Sequence, residues 1–292
     1  MPALSQLQHQ LNIRPSIRSA GRGFSLATFN SPAALDQDSK SRIYDTLVQV
    51  STRAFGADMT PYWRDRSRDG YLDQISRFFL VADAGDEISG WTGYHRFQFG
   101  VERCLYLDST GVLPRYQASG IMSRVFKRLL ATELMRNSLR PIHLSMRTES
   151  PVVYNSFFRA VGPSRIYPSP DRSIPSSAQQ IGSKLAAWLG QSDKLEPGRL
   201  RVRGAYDNLD ELYGEQPVCA NERINAYFRA NLRPEDAFIV IVRFDLTTVA
   251  RLAAQTFASL VRARVSAHGR ATAKPVPAAA QPTIRSDHSS PR

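Results

Sequence analysis

The chain has 292 residues, 42% of them hydrophobic, 10% aromatic and 22% charged, which excludes a disordered or fibrous protein and leaves room for one large domain or two small ones. Its longest apolar runs, such as Phe238 to Val242, fall far short of the roughly 20 residues a membrane span needs, and two cysteines, Cys104 and Cys219, cannot build a disulfide framework. The formal charge of +12 would suit a polyanionic ligand, but residues 1–23 carry +3 and residues 261–292 carry +5, leaving +4 for the body. Both ends are rich in Ser, Pro, Ala and Gln, so a flexible basic extension is expected over 1–23 and a disordered basic tail over 267–292. Neither end interleaves aromatics or shows an amphipathic period, so neither nucleic acid nor a membrane is an expected partner. No secretory signal is recognisable at the start, and a reducing cytoplasm is the expected compartment.

From Leu35 to Phe55 apolar residues recur at helical spacing (Ile43, Leu47, Val50, Ala54), with Gly56 as a stop. Pro61 to Ile75 reads as a short helical or irregular stretch. Phe78 to Ala82 and Glu87 to Phe99 read as two strands around the turn Asp83-Ala84-Gly85-Asp86, and Cys104 to Val112 as a third. Gln117 to Asn137 places Ile121, Val125, Leu129 and Leu134 on one helical face. A strand follows over Pro141 to Arg147. A helix then runs from Pro151 to Val161, opened by Ser150. After a Pro/Ser-rich loop (163–177) come a short helix around Ile181 to Leu189, a strand at Leu200 to Val202, a helix over Asn221 to Leu232, a strand over Ala237 to Phe244 and a last helix, Thr247 to Arg264. Strands alternating with helices predict a mixed α/β domain.

The segment Gly111 to Met122 joins strand to helix. A helix opening there points unpaired backbone N–H groups and the positive end of its dipole at whatever lies in front, an arrangement suited to phosphate. Gly120, lacking a Cβ, admits close approach. The same turn also occurs in proteins where it binds nothing.

At these residues the sequence resembles the GNAT superfamily of acyl-CoA-dependent N-acyltransferases. Val112, Pro114, Gln117 and Gly120 match its central motif in register, whereas Met122 stands where a small residue is expected. A second segment, Arg147 to Gly162, looks like the family's fifth strand and following helix. The resemblance implies an α/β fold with a mostly antiparallel central sheet, splayed fourth and fifth strands and flanking helices. That domain would span 24–245, with an insertion at about 169–235 and a C-terminal helix over 246–266. It implies acetyl-CoA as acyl donor, with the diphosphate held by backbone at Gln117, Ala118, Ser119, Gly120, Ile121 and Met122, the pantetheine arm held near Val112, and Asn155 as a further cofactor-binding residue. It further implies direct attack by the amine of a small molecule or peptide in a ternary complex. Asp108, four residues before Val112, is the candidate base, with a salt-bridged structural role as the alternative. The acid expected on the following helix falls where Phe157 and Phe158 stand, which makes Tyr154 the nearest replacement, with Glu149 and Ser109 in reserve.

The five histidines form no pair at ligand spacing, so no metal is expected. His95 and His143 read as ordinary strand residues. A homodimer is compatible with the family. A catalytically weak acyl-CoA sensor and a polyanion-binding protein acting through its tails are the competing functions.

Overall fold

A computed structural model describes residues 2–117, 119–207 and 217–251. Met1–Val249 form one compact unit, and the description below concerns that unit. The first 23 residues are not a flexible extension. They form α1 (Leu4–His9) and β1 (Ser16–Gly21), which pairs antiparallel with β2 (Phe24–Phe29). Leu4, Leu7 and Leu11, one apolar stripe at helical spacing, are buried, while Arg14, Arg18 and Arg22 remain exposed beside or within the edge strand. Leu4→Ala is therefore expected to cost about 2 kcal/mol, read from the urea midpoint, where a solvated arm would tolerate it.

Next comes α2 (Gln37–Phe55), whose first turn is capped by the Asp36 carboxylate accepting from Ser39 N–H at 2.8 Å; Gly56 ends it in the left-handed region at φ 74°. Two shorter helices follow, α3 (Thr60–Arg68) and α4 (Tyr71–Gln74). The centre of the sheet is β3 (Arg77–Ala82), β4 (Ile88–Phe99) and β5 (Glu102–Val112). From β5 a helix, α5 (Ile121–Arg136), crosses to β6 (Ile142–Thr148). Beyond it lie α6 (Pro151–Val161), β7 (Ile166–Tyr167), α7 (Ser176–Trp188), β8 (Leu195–Glu196), β9 (Arg201–Val202), α8 (Glu222–Asn231) and β10 (Ala237–Phe244).

The strand order is β1-β2-β3-β4-β5-β6-β10-β9-β8, with β7 also on β10. Every pairing is antiparallel except β5–β6, the pair joined by the α5 crossover. Residues 169–235, expected as an insertion, supply α7, β8, β9 and α8, and the two strands lengthen the sheet beyond β10. The expected helix over 246–266 is described as helical from 246 to 251; its remainder and the tail 267–292 lie outside the described residues.

The two faces of the sheet are covered differently. On one face α5 and α6 cover β3–β6 and β10: Glu133 of α5 meets Tyr94, and Phe126 meets Phe157 of α6. On the other face, α2, α3 and α4 bury one apolar cluster that includes Leu47, Trp63, Leu72, Phe78 and Trp91. There α7 and the segment after it bury a second, including Ile181, Leu185, Leu200, Ile239 and Ile241. Pairing of His95 with Tyr106 and of Gly93 with Asp108, carried to β6 by Tyr106 opposite Ser145, puts His95, Asp108 and Arg147 on this second face, in a polar strip between the two clusters. Among the described residues, no helix is long and apolar enough to cross a membrane.

Candidate active site

The β5–β6 ladder runs from Arg103 opposite Ile142 to Leu107 opposite Met146 and stops there. Beyond that point β5 continues to Val112 against β4, while β6 continues to Thr148 against β10, so the two strands part as expected. Asp108 is the first residue past the fork. Between Asp108 and Gly111 the β4–β5 register shifts, and Ser109 takes φ 54°, an uncommon conformation for a residue with a side chain. The bulge is held by Trp91, whose indole N–H donates to Ser109 Oγ at 3.0 Å. A Cβ on Gly111 would strike that indole ring, so glycine is required there.

Asp108 is 8% exposed and carries three partners drawn from three elements. Arg66 of α3 ion-pairs with it, His95 Nε2 lies 3.0 Å from its Oδ2, and Tyr71 O–H donates to its backbone carbonyl at 3.2 Å. Burial alone would raise the Asp108 carboxyl, but the Arg66 guanidinium and the His95 hydrogen bond outweigh it and hold the group below the ordinary carboxylate range. An aspartate so engaged is a weak base by itself, but it orients the imidazole beside it. The His95 ring sits among aromatic neighbours, with Trp188 of α7 at 4.6 Å between centroids and Tyr106 and Tyr71 each at 6.4 Å.

The remaining wall of the cleft is phenolic and basic. Arg147 of β6 lies 4.6 Å from the Tyr206 ring centroid, and Tyr206 O–H donates to the Arg147 carbonyl at 3.3 Å. Burial pushes the Tyr206 phenol up to about 12 and raises those of Tyr62, Tyr71 and Tyr106 as well, so all four stay protonated at neutral pH.

At the other side of the fork α5 begins at Ile121. Gly120 precedes it at φ 75°, and no side chain caps the helix from that position. The first turn holds no acidic residue; a Cβ on Gly120 would meet nothing closer than Arg124 Nη1 at 3.7 Å. Ser119 Oγ accepts from Ile121 N–H at 3.3 Å. Arg124 donates through Nε to Ala20 O at 3.0 Å and through Nη1 to Ser119 O at 3.4 Å, but its Nη2 is buried and finds no acceptor. A buried guanidinium nitrogen without an acceptor, next to a helix N-terminus whose N-cap glycine offers no side-chain acceptor, fits a bound anion such as a diphosphate. Gln117 and Gly120 are exposed, Val112, Ser119 and Met122 half-buried; Ala118 lies outside the described residues. On α6, Asn155 is 8% exposed with a buried Oδ1 that accepts nothing, which fits an N–H-bearing ligand such as the pantetheine arm.

Tyr154 does not belong to this site. It is fully buried on the α5/α6 side of the sheet, its ring between Phe158 and Phe228 and its O–H donating to Pro168 O at 2.7 Å. Both its face of the sheet and its engaged hydroxyl remove it from the Asp108 cleft. His95 and Arg66, in contrast, are the side-chain partners that the sequence did not single out. The pattern that would have found His95 is strand alternation across the hairpin: it lies diagonally from Asp108 on the same face.

Residues 41–149, from α2 through the fork to the end of β6, match the model of the Acetyltransferase (GNAT) family. Over this segment the chain is similar to the GNAT acetyltransferase family. No curated protein matches the chain. Similar solved structures include a conserved protein from Enterococcus faecalis (15% identity, TM-score 0.35, 48% of this chain and 31% of that one). Another is a GCN5-related N-acetyltransferase from Kribbella flavida (16% identity, TM-score 0.32, 59% and 45%). A third is a GNAT family N-acetyltransferase from Escherichia coli in complex with CoA (14% identity, TM-score 0.28, 39% and 61%). The chain thus spans about a third of the Enterococcus protein's length. The match covers β5, α5 and β6, the elements that make the fork and the start of α5; it ends at Glu149, before α6 and residues 176–206.

Proposed function

We propose that the protein is an N-acetyltransferase that moves the acetyl group of acetyl-CoA to the amine of a small molecule or peptide by direct attack. The observation that carries this reading is the parting of β5 from β6 between the glycine-led start of α5 and the buried Asp108. Bound acetyl-CoA would supply the acyl group as a thioester. The amides from Gly120 to Met122, with Arg124 behind them, would hold its diphosphate, and Asn155 Oδ1 would accept from its pantetheine amide. The acceptor nitrogen attacks the thioester carbonyl, a C–N bond forms as the C–S bond breaks, and the amine proton passes to His95, which Asp108 orients. Tyr62, kept protonated by burial and half-exposed on the cleft wall, is the donor available to the departing thiolate.

Two measurements test this. Coenzyme A should raise the melting temperature of the full chain, and acetyl-CoA with an amine panel should release free thiol. Absence of both would overturn the reading, whereas stabilisation without thiol release from any amine would leave a binding module. Arg124→Met should weaken coenzyme A binding by about 10–100-fold in calorimetric titration, because a charge-assisted hydrogen bond contributes about 1.5–3 kcal/mol. Loss of the bonds to Ala20 O and Ser119 O should cost the free protein about 1–3 kcal/mol, so binding is compared at a temperature where the variant is folded.

A further inference from the structure

The proposed reaction names the donor and leaves the acceptor's chemistry open, and the charge arrangement of the cleft restricts it. Two guanidiniums face it. Arg66 is neutralised by Asp108, yet its Nε is buried and has no acceptor. Arg147 has no carboxylate within ion-pair range among the described residues; its Nη1 donates to the Gln191 side-chain carbonyl at 2.8 Å, and its guanidinium lies against the Tyr206 ring. The Arg66 guanidinium lies 5.9 Å from the Tyr62 ring centroid and 4.4 Å from that of Tyr71.

A half-buried arginine that is held by an amide and an aromatic face, with no partner carboxylate among the described residues, is a good receptor for a planar anion. Its position matters equally. Arg147 is on β6, one residue past the last β5–β6 pair, and Asp108 is the residue just past that pair on β5. A ligand whose amine reaches the Asp108–His95 pair therefore has Arg147 across the fork.

Resting on the transferase reading, we propose that the acceptor is an amino acid, an amine that also carries a carboxylate, and that Arg147 binds the carboxylate while the amine faces the Asp108–His95 pair. The phenolic wall made by Tyr62, Tyr106 and Tyr206, closed by Trp188, then receives the side chain, and an apolar or aromatic one fits it. A polyamine would bring further positive charge against two arginines and is disfavoured.

The test uses the full chain with acetyl-CoA and matched pairs of acceptors that differ only in the carboxylate: phenylalanine with phenethylamine, tyrosine with tyramine, leucine with isoamylamine. The expected result is a kcat/KM at least about tenfold higher for the amino acid in at least one pair, carried by KM. Arg147→Gln should narrow that ratio to within about threefold, and Arg147→Lys should restore part of it. Coenzyme A stabilisation of each variant reports that the fold and the cradle are intact. The proposal is overturned if the decarboxylated amines are equal or better, or if Arg147→Gln lowers kcat for both members of a pair alike, which would place Arg147 at the thioester. It is overturned too if no amino acid is acetylated while other amines are, an outcome that leaves the transferase reading standing. Loss of coenzyme A binding in the parent chain would instead overturn the transferase reading.

Discussion

Asp108→Asn is expected to lower kcat by about 10²–10⁴-fold, the usual range for removing a positioned acid–base unit, with the KM for acetyl-CoA little changed. The asparagine cannot keep the imidazole in one tautomer, and it leaves Arg66 facing a neutral amide in a buried setting. That second effect should appear in stability, because breaking a buried ion pair from one side leaves an uncompensated charge; with the Arg66 side chain 24% exposed, a loss of about 3 kcal/mol is expected. The pH dependence separates the two. The folded-state carboxyl of Asp108 is depressed below its ordinary value of 3.8, so its contribution is complete above that value and disappears as pH falls through the depressed one. Parent and variant should therefore differ by a constant amount in urea unfolding at pH 5–8 and converge in stronger acid. A constant difference down to the lowest pH would mean that the Arg66 pair is not the source of the stability.

Glu133→Ala should have the largest effect on stability. This carboxylate, fully buried on α5, accepts from Arg96 Nε at 2.9 Å and Nη2 at 2.8 Å and from Tyr94 O–H at 2.7 Å. Removing it strands a guanidinium and a phenol between helix and sheet, for a cost of about 3–5 kcal/mol. Burial works against ionisation of Glu133, but the two β4 partners win and keep it below its ordinary value, so this contribution too fades only in acid. Because α5 also carries the anion cradle at its start, thermal unfolding of Glu133→Ala should be rescued in part by coenzyme A. A melting temperature unchanged from the parent would refute the network as a stabilising element.

How far these features could be read beforehand depends on the distance over which each is determined. The long helices α2, α5 and α6 follow from apolar spacing and their end signals, Asp36 and Gly56 among them, which are local. The fork was legible too, through Val112, Pro114, Gln117 and Gly120, because backbone geometry at a strand-to-helix turn imposes itself on a few consecutive residues. Asp108 could be placed by counting back from Val112. Its role could not, because Arg66 stands 42 residues away and His95 lies 13 residues away across a bulged hairpin. The misplacement of Tyr154 has a related origin. The spacing of Tyr154, Phe157 and Val161 that marks α6 as amphipathic also marks those positions as buried, so a phenol in that register belongs to the face that packs. At the N-terminus, the two leucines of a six-residue helix and Leu11 just beyond it are outweighed by the arginines and small residues around them, and an edge strand exposed along nearly its whole length offers little apolar signal.

Because one flank of the Asp108 site is made by α3 and the other by the segment around Trp188 and Tyr206, the proposed function would draw part of its acceptor contacts from a stretch of sequence separate from the start of α5. Grafting a different 169–235 stretch onto the same β4–α5 framework would remodel the half of the pocket that α7 closes while leaving the diphosphate seat untouched. A lineage built this way could change its nitrogen nucleophile repeatedly without having to reinvent how the thioester is presented.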